Sequence, residues 1–207
     1  MNITLLLDAQ RARTAEDFLI RDLPGTSGRL DIVCRVLISA FHTVPSLTPF
    51  LNVNAILGGP PKPPLRLSVS NVVTAEFPES ELACALILKG LLQQFYTTAR
   101  KADRHWPQFQ LTPKSFEDTL DEIAKPTTQL LYLIEDGIPL EKLTLNLQSP
   151  IALILGDDKG LPVSHEKYVY QHAVQEVSIG TRSLLGSHVI SLFLLDLEQR
   201  TKIQPKS

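Results

Sequence analysis

The segment from Ser149 to Leu197 places the strongest constraint on the fold of this chain of 207 residues. It contains two strand-like runs, Pro150–Leu155 and Val174–Gly180, and each leads into a turn of glycine and small polar residues. A long apolar segment, Val189–Leu197, follows the second turn and is expected to be helical. Strands that end in such turns are typical of the carboxyl edge of an α/β sheet, where glycine and free helix amides admit a ligand. The sequence therefore predicts an α/β fold with its ligand site here.

Composition bounds the class of protein. The length suffices for one substantial core, and the net charge of -2 excludes a globally basic nucleic-acid binder while leaving a local basic face open. No apolar run approaches the roughly 20 residues of a membrane span, and Met1–Leu7 lacks the basic start of a signal peptide. Cys34 and Cys84 fit no metal-ligand spacing and are expected to be free thiols in a reducing cytoplasm. We predict one cytoplasmic domain over residues 1–207, with no membrane span and no metal.

Hydrophobic periodicity predicts the other elements. The segment 9–19 is polar and is expected to be a loop or a short helix. The region 79–125 is expected to be a helical elaboration of the domain. The predicted strands are Ile3–Leu7, Phe50–Leu57, Leu65–Val69 and Leu130–Ile134, and the last is followed by a turn at Glu135–Gly137. One predicted helix begins at Leu30, and two others span 78–104 and 116–123.

A tight loop, Leu23–Asp31, contains two glycines and a proline and opens an amphipathic helix. Arg29 and Asp31 lie at the start of that helix, and Arg35 follows one turn later. A glycine loop with these residues could hold a phosphate, or it could be ordinary helix capping, which the pattern alone favours.

A second unusual stretch, Gly58–Pro64, has four prolines and two glycines in seven residues and predicts a stiff exposed turn. Lys62 lies within it and Arg66 just after it. The turn is either a rigid connector, which the pattern alone favours, or a basic tip that contacts a polyanion. The basic end of the long helix, Arg100–Trp106, is expected to be a solvated helix terminus.

Common catalytic motifs do not occur in the sequence: there is no Walker A segment, G-x-G-x-x-G, G-x-S-x-G or H-E-x-x-H. The five histidines show no ligand spacing and are expected to be surface or structural residues. Only His188, at the start of the last helix, is expected near the ligand site.

The stretch Asp22–Arg35 resembles the N-terminal signature of the TrmY family, the archaeal tRNA pseudouridine N1-methyltransferases of the SPOUT superfamily. The resemblance continues through Gly59–Pro64, Leu155–Asp157 and Ser178–Ile190, in the same order and spacing over essentially the whole chain. It implies an α/β fold with a mostly parallel central sheet flanked by helices and a C-terminal trefoil knot over about residues 130–200, an exception to the rule against knots. It also implies S-adenosylmethionine as cofactor and a homodimer.

The resemblance also implies the site residues. It assigns cofactor binding to three strand ends and the following helix, with apolar walls from leucines; these residues are Leu133, Gly156, Ser178, Ile179, Gly180, Thr181, Arg182, Ser183, Leu184 and Val189. Asp31 would orient or accept the N1 proton of pseudouridine, with Arg29 beside it for a phosphate or carbonyl group. The RNA, expected to be tRNA, would contact a set of cations: Arg11, Arg13, Arg35, Lys62 and Arg66.

Two departures from the archaeal pattern leave alternatives open. Val189 follows His188 where the family has a cysteine, and Arg182 adds a positive charge at the cofactor edge. The chain is therefore either an RNA methyltransferase or a knotted protein that binds cofactor and RNA with weak or no catalysis and serves as an RNA-binding or assembly factor. For the methyltransferase, the target could also be another modified or unmodified uridine, or ribosomal RNA. Another α/β nucleotide-binding enzyme is a more distant alternative.

Overall fold

The computed structural model describes residues 1–97, 106–180 and 183–203. Across these residues, seven strands form one sheet in the order β4-β3-β2-β1-β6-β5-β7. Pairing is parallel from β2 through β1, β6 and β5 to β7, and antiparallel from β2 through β3 to β4. The strands are β1 Ile3–Ala9, β2 Leu51–Leu57, β3 Leu65–Val69, β4 Phe109–Thr112, β5 Gln129–Pro139, β6 Ile151–Gly156 and β7 Val174–Ser178. The predicted mostly parallel α/β sheet is confirmed.

Helices cover both faces of this sheet, as parallel strands require. The alternating side chains of β1 show the division: Leu5 and Leu7 enter the larger core with α2, α3 and α6, whereas Leu6 enters a smaller core with α4 and α5. We call these the α2 face and the α4 face. The helices are α1 Leu23–Thr26, α2 Leu30–His42, α3 Glu81–Tyr96, α4 Phe116–Ile123, α5 Val163–Val169 and α6 Gly186–Ile203. Short 3₁₀ helices lie at Ile20–Asp22, Pro45–Phe50, Thr74–Glu76 and Leu140–Lys142.

Several predicted bounds are corrected by the structure. The helix expected over 78–104 begins at Glu81, after the capping Ser80, and ends at Tyr96; the basic residues at 100–104 lie outside the described residues. The strand expected to stop at Ile134 continues to Pro139, because its backbone pairs with β7 on both sides of an irregularity between Leu133 and Ile138. Apart from Ala9, the last residue of β1, the segment 9–19 is a loop, and region 79–125 includes the strand β4 as well as helices.

No helix among the described residues is long and apolar enough to cross a membrane. Nor do these residues contain a group of three or more histidine, cysteine or acidic side chains placed to hold a metal ion.

Candidate active site

Three strand ends meet at the carboxyl edge of the sheet because β6, β5 and β7 are parallel neighbours. A Cβ on Gly137 would lie 2.6 Å from the carbonyl carbon of Val177, so only glycine lets β5 pass this close to β7. The hydroxyl of Ser178 donates to the Gly137 carbonyl over 2.9 Å. At the end of β6, the turn closes so tightly that a Cβ on Gly156 would lie 2.2 Å from the carbonyl carbon of Gly160.

The candidate cofactor residues lie along these ends and on the start of α6. Ser178, Ile179 and Val189 are buried, and Leu133 and Gly156 are half-buried. Gly180, Ser183 and Leu184 are exposed. Thr181 and Arg182 lie outside the described residues.

This edge fits an adenosine-containing ligand. Gly180 adopts a left-handed φ of 82°, which turns the chain sharply at the end of β7. Leu184 and Leu185 then present apolar side chains that are 38% and 56% exposed. Gly186, at the start of α6, faces Leu155 of β6, so the returning chain closes against the second strand end. Backbone segments that approach one another closely, together with exposed apolar side chains, suit a flat heterocycle with polar edges.

Beside the strand ends, Asp31 holds two arginines at the start of α2. Its carboxylate is 1% exposed and accepts bonds from Arg29 Nε over 3.0 Å, Arg29 Nη2 over 3.2 Å and Arg35 Nη2 over 2.6 Å. Arg29 has a left-handed φ of 76°. Arg29, the N-cap of α2, makes no side-chain capping bond, but the hydroxyl of Ser27 accepts from the free amide of Leu30 over 3.0 Å. The loop therefore has the structural role that the pattern alone favours, and phosphate binding by it stays a prediction.

The loop after β1 lies directly against this arginine pair. A Cβ on Gly28 would lie 1.8 Å from the carbonyl oxygen of Arg11, and the Arg13 amide donates to the Ser27 carbonyl over 3.0 Å. Arg11 donates to Asp158 in the turn after β6, and Arg29 Nη1 reaches the other oxygen of that carboxylate at 3.2 Å. The structure thus brings Arg11, Arg29 and the Gly156–Gly160 turn together.

The remaining candidate RNA contacts are spread more widely. Arg13 forms an ion pair with Asp17, and Lys62 lies 4.8 Å from the ring centre of Tyr96. Arg66 points to the α4 face, where it forms a 2.5 Å ion pair with Glu122. Arg66 is therefore separated by the sheet from the arginines of α2.

Sequence reasoning missed one buried pair at the same edge, Asp8 and His165. Asp8 is fully buried near the end of β1, and one of its oxygens lies 2.5 Å from His165 Nδ1. Burial raises the pKa of Asp8, although the hydrogen bond and charge of His165 act in the opposite direction. The only sequence signal was an acidic residue at the end of an apolar strand; nothing in the sequence pairs it with a histidine 157 positions away.

A groove of about 390 Å³ opens on the α4 face, away from these turns. Asn54, Ser68, Arg66 and Thr128 are among the residues that line it. None of its lining residues belongs to the three strand ends or to the Arg29–Asp31 pair, so we locate the candidate active site at the carboxyl edge on chemical grounds.

Glycine-bearing ends of three parallel strands, beside a buried carboxylate that binds two partly exposed arginines, define an α/β protein with its ligand site at the carboxyl edge of the sheet. The chain belongs to the family described as putative SAM-dependent RNA methyltransferases, whose sequence profile matches residues 4–201. The family expected from the sequence motifs is confirmed, and so is its cofactor, S-adenosylmethionine.

Archaeal relatives span nearly the whole chain. The tRNA (pseudouridine(54)-N(1))-methyltransferase of Thermococcus onnurineus (strain NA1) is 35% identical over 202 residues, which are 96% of this chain and 98% of the relative. The protein of the same name from Pyrococcus abyssi (strain GE5 / Orsay) is 34% identical over 200 residues, covering 94% and 96%. These relatives favour the methyltransferase over the binding protein without catalysis.

A solved structure has the same overall architecture. The crystal structure of Archaeoglobus fulgidus Nep1 bound to S-adenosylhomocysteine matches with a TM-score of 0.64 at 15% identity, covering 97% of this chain and 99% of that one. At this identity the likeness shows the α/β fold.

Proposed function

We propose that this protein transfers a methyl group from S-adenosylmethionine to N1 of pseudouridine in tRNA. The observation that carries the proposal is the 35% identity over 96% of the chain to a protein named for that reaction. The carboxyl-edge site supports this proposal, because closely spaced strand ends, exposed apolar side chains and arginines lie together there. We also propose that the protein acts in the cytoplasm as a homodimer, and that its C-terminal segment forms a trefoil knot around the cofactor.

The candidate cofactor residues are proposed to act mainly through backbone and shape. The backbone at Ser178, Ile179 and Gly180 would bind the polar edges of the adenosine, while Leu133 and Leu184 would pack on its faces. Gly156 lets the turn after β6 close against the backbone of Gly160. Ser183 and Val189, together with Thr181 and Arg182, complete the proposed set. When bound, S-adenosylmethionine supplies an already activated methyl group. The protein therefore has mainly to align the nucleophile with that methyl group and to stabilise the shift of charge during transfer.

Arg29 is the residue proposed to contact the RNA at the reacting base. Its guanidinium can donate to a carbonyl or a phosphate oxygen near the base, and Asp31 fixes its orientation from beneath. Both oxygens of Asp31 are already engaged by Arg29 and Arg35. This geometry favours Asp31 as a positioning residue over its alternative role as acceptor of the N1 proton.

The remaining cations are proposed to hold the RNA backbone. Arg11, Arg13 and Lys62 lie on loops beyond the carboxyl edge, where a base splayed from an RNA loop would enter. Arg35 would act through the shared Asp31. Arg66, on the α4 face, would contact a more distant part of the RNA.

Labelled methyl transfer tests the activity. The protein is incubated with S-adenosylmethionine carrying a labelled methyl group and with tRNA that contains pseudouridine, and cofactor binding is measured in parallel by calorimetry. Transfer of label into the tRNA supports the proposal. Cofactor binding without transfer into any tRNA tested would contradict the proposal and would favour the alternative, a protein that binds cofactor and RNA without catalysis.

A further inference from the structure

Two arginines from different loops converge on one acidic side chain, Asp158. Arg11 Nη2 donates to Asp158 Oδ1, and Arg29 Nη1 lies 3.2 Å from Oδ2. The side chain of Asp158 is 36% exposed, so solvent reaches the point where the two guanidiniums meet. Partial burial acts to raise the pKa of Asp158, but the hydrogen bond from Arg11 and the charges of Arg11 and Arg29 outweigh it and lower the pKa. The group is a carboxylate at neutral pH.

The same arrangement of donors suits a phosphodiester. Guanidinium groups bind carboxylates and phosphates with the same planar fork, and RNA backbones are recognised by such contacts. Arg29 is engaged with Asp31 through Nε and Nη2, so only its Nη1 arm is directed at Asp158. Removing the Asp158 charge would therefore leave the Arg29–Asp31 pair in place and free one arm for a phosphate.

We propose that Asp158 occupies, in the RNA-free protein, the position of an RNA backbone phosphate between Arg11 and Arg29, and that RNA must displace it to bind. Asp158 thereby acts as an internal competitor that lowers affinity for RNA. The proposal rests on the proposed function only for the identity of the polyanion as RNA. Because Asp158 belongs to the turn closed by Gly156 and Gly160, the competitor is attached to a wall of the candidate cofactor site.

Asp158→Asn tests the competition directly. Binding of a fluorescein-labelled RNA hairpin that contains pseudouridine is followed by anisotropy over a series of salt concentrations. We expect Asp158→Asn to bind about fivefold more tightly than wild type, because two partly exposed ion pairs no longer oppose binding. The plot of log affinity against log salt should steepen by about 0.7, since no freed carboxylate takes up counterions. Adding Arg11→Ala should abolish the gain.

A matched control removes a negative charge elsewhere. Glu198 on α6 contacts Lys202 and Ser46, so Glu198→Gln makes the same change in net charge and should leave RNA affinity unchanged. Equal affinity and equal salt dependence for Asp158→Asn and wild type would overturn the proposal, as would failure of both to bind RNA. Absence of methyl transfer alongside tighter binding by Asp158→Asn would contradict the proposed function while supporting this inference.

Discussion

His165 Nδ1 lies 2.5 Å from a carboxylate oxygen of Asp8, a side chain with no exposed surface near the end of β1. The imidazole belongs to α5 and stacks on Phe116 of α4, with 4.6 Å between ring centres. Asp8 also pairs in register with Gly156. The contact therefore holds α5, which follows the turn that carries Asp158, against β1, which pairs with the strand before that turn.

A double-mutant cycle measures this contact. His165→Phe keeps a ring on Phe116 but removes Nδ1, so the buried carboxylate is left with the Gln10 amide and the free energy of unfolding should fall by about 2 kcal/mol. In an Asp8→Asn background the same change should cost only about 1 kcal/mol. Urea denaturation of the four proteins gives both values. Equal costs in the two backgrounds would show that Asp8 and His165 are not energetically coupled.

The raised pKa of Asp8 makes a prediction about pH. Because the folded state holds the Asp8 proton more tightly than the unfolded chain, protonation of Asp8 contributes stability at acid pH. That contribution is lost as the pH rises from 3.8 through the raised pKa. Asp8→Asn does not titrate there. The free energy of unfolding of wild type relative to Asp8→Asn should therefore fall across this window and then level off; a difference that grows with pH would contradict the assignment.

Two glycine-to-alanine substitutions should have opposite effects. Gly28 has a left-handed φ of 62°, and its Cβ would lie 1.8 Å from the Arg11 carbonyl oxygen, so Gly28→Ala should destabilise the protein by more than about 2 kcal/mol. Gly90, inside α3, has open space around a Cβ, so Gly90→Ala should stabilise it by about 0.5–1 kcal/mol. Thermal unfolding compares the two. A tolerated Gly28→Ala would refute the close packing of the arginine loops.

Asp31→Asn tests the proposed positioning of Arg29. The variant should lower kcat for methyl transfer by about 100-fold while the calorimetric Kd for S-adenosylmethionine stays unchanged, because misplacing a group at the reacting centre affects the transition state more than cofactor binding. Glu81→Gln is the matched control: Glu81 reaches Arg35 only at 3.6 Å, and its loss should leave kcat near wild type. Equal losses in both variants would indicate a general effect of charge.

Local sequence signals predicted much of the fold. β6 follows from a short apolar run that ends in a glycine turn, β7 from a strand-like run that ends at Gly180, and α4 from the helical pattern over 116–123. These elements are determined by residues near one another in the chain. The glycine loop and the hydrophobic periodicity after it likewise placed Arg29 and Asp31 at the start of α2, which the structure confirms.

Features that depend on distant residues could not be predicted in this way. The last part of β5 is polar and contains Gly137, and it is a strand only because β7 supplies its hydrogen-bonding partner. The Asp8–His165 and Arg11–Asp158 contacts join residues about 150 positions apart, which no local pattern encodes.

The central claim, methyl transfer to N1 of pseudouridine, is tested most directly by identifying the product nucleoside. tRNA carrying pseudouridine at position 54, the position in the relatives' names, and the same tRNA carrying uridine there are incubated with the protein and S-adenosylmethionine. Both are then digested and analysed by mass spectrometry against an N1-methylpseudouridine standard. We expect N1-methylpseudouridine from the first tRNA and no methylated nucleoside from the second. Unmodified pseudouridine in the first tRNA, or methylation of both tRNAs, would contradict the claim.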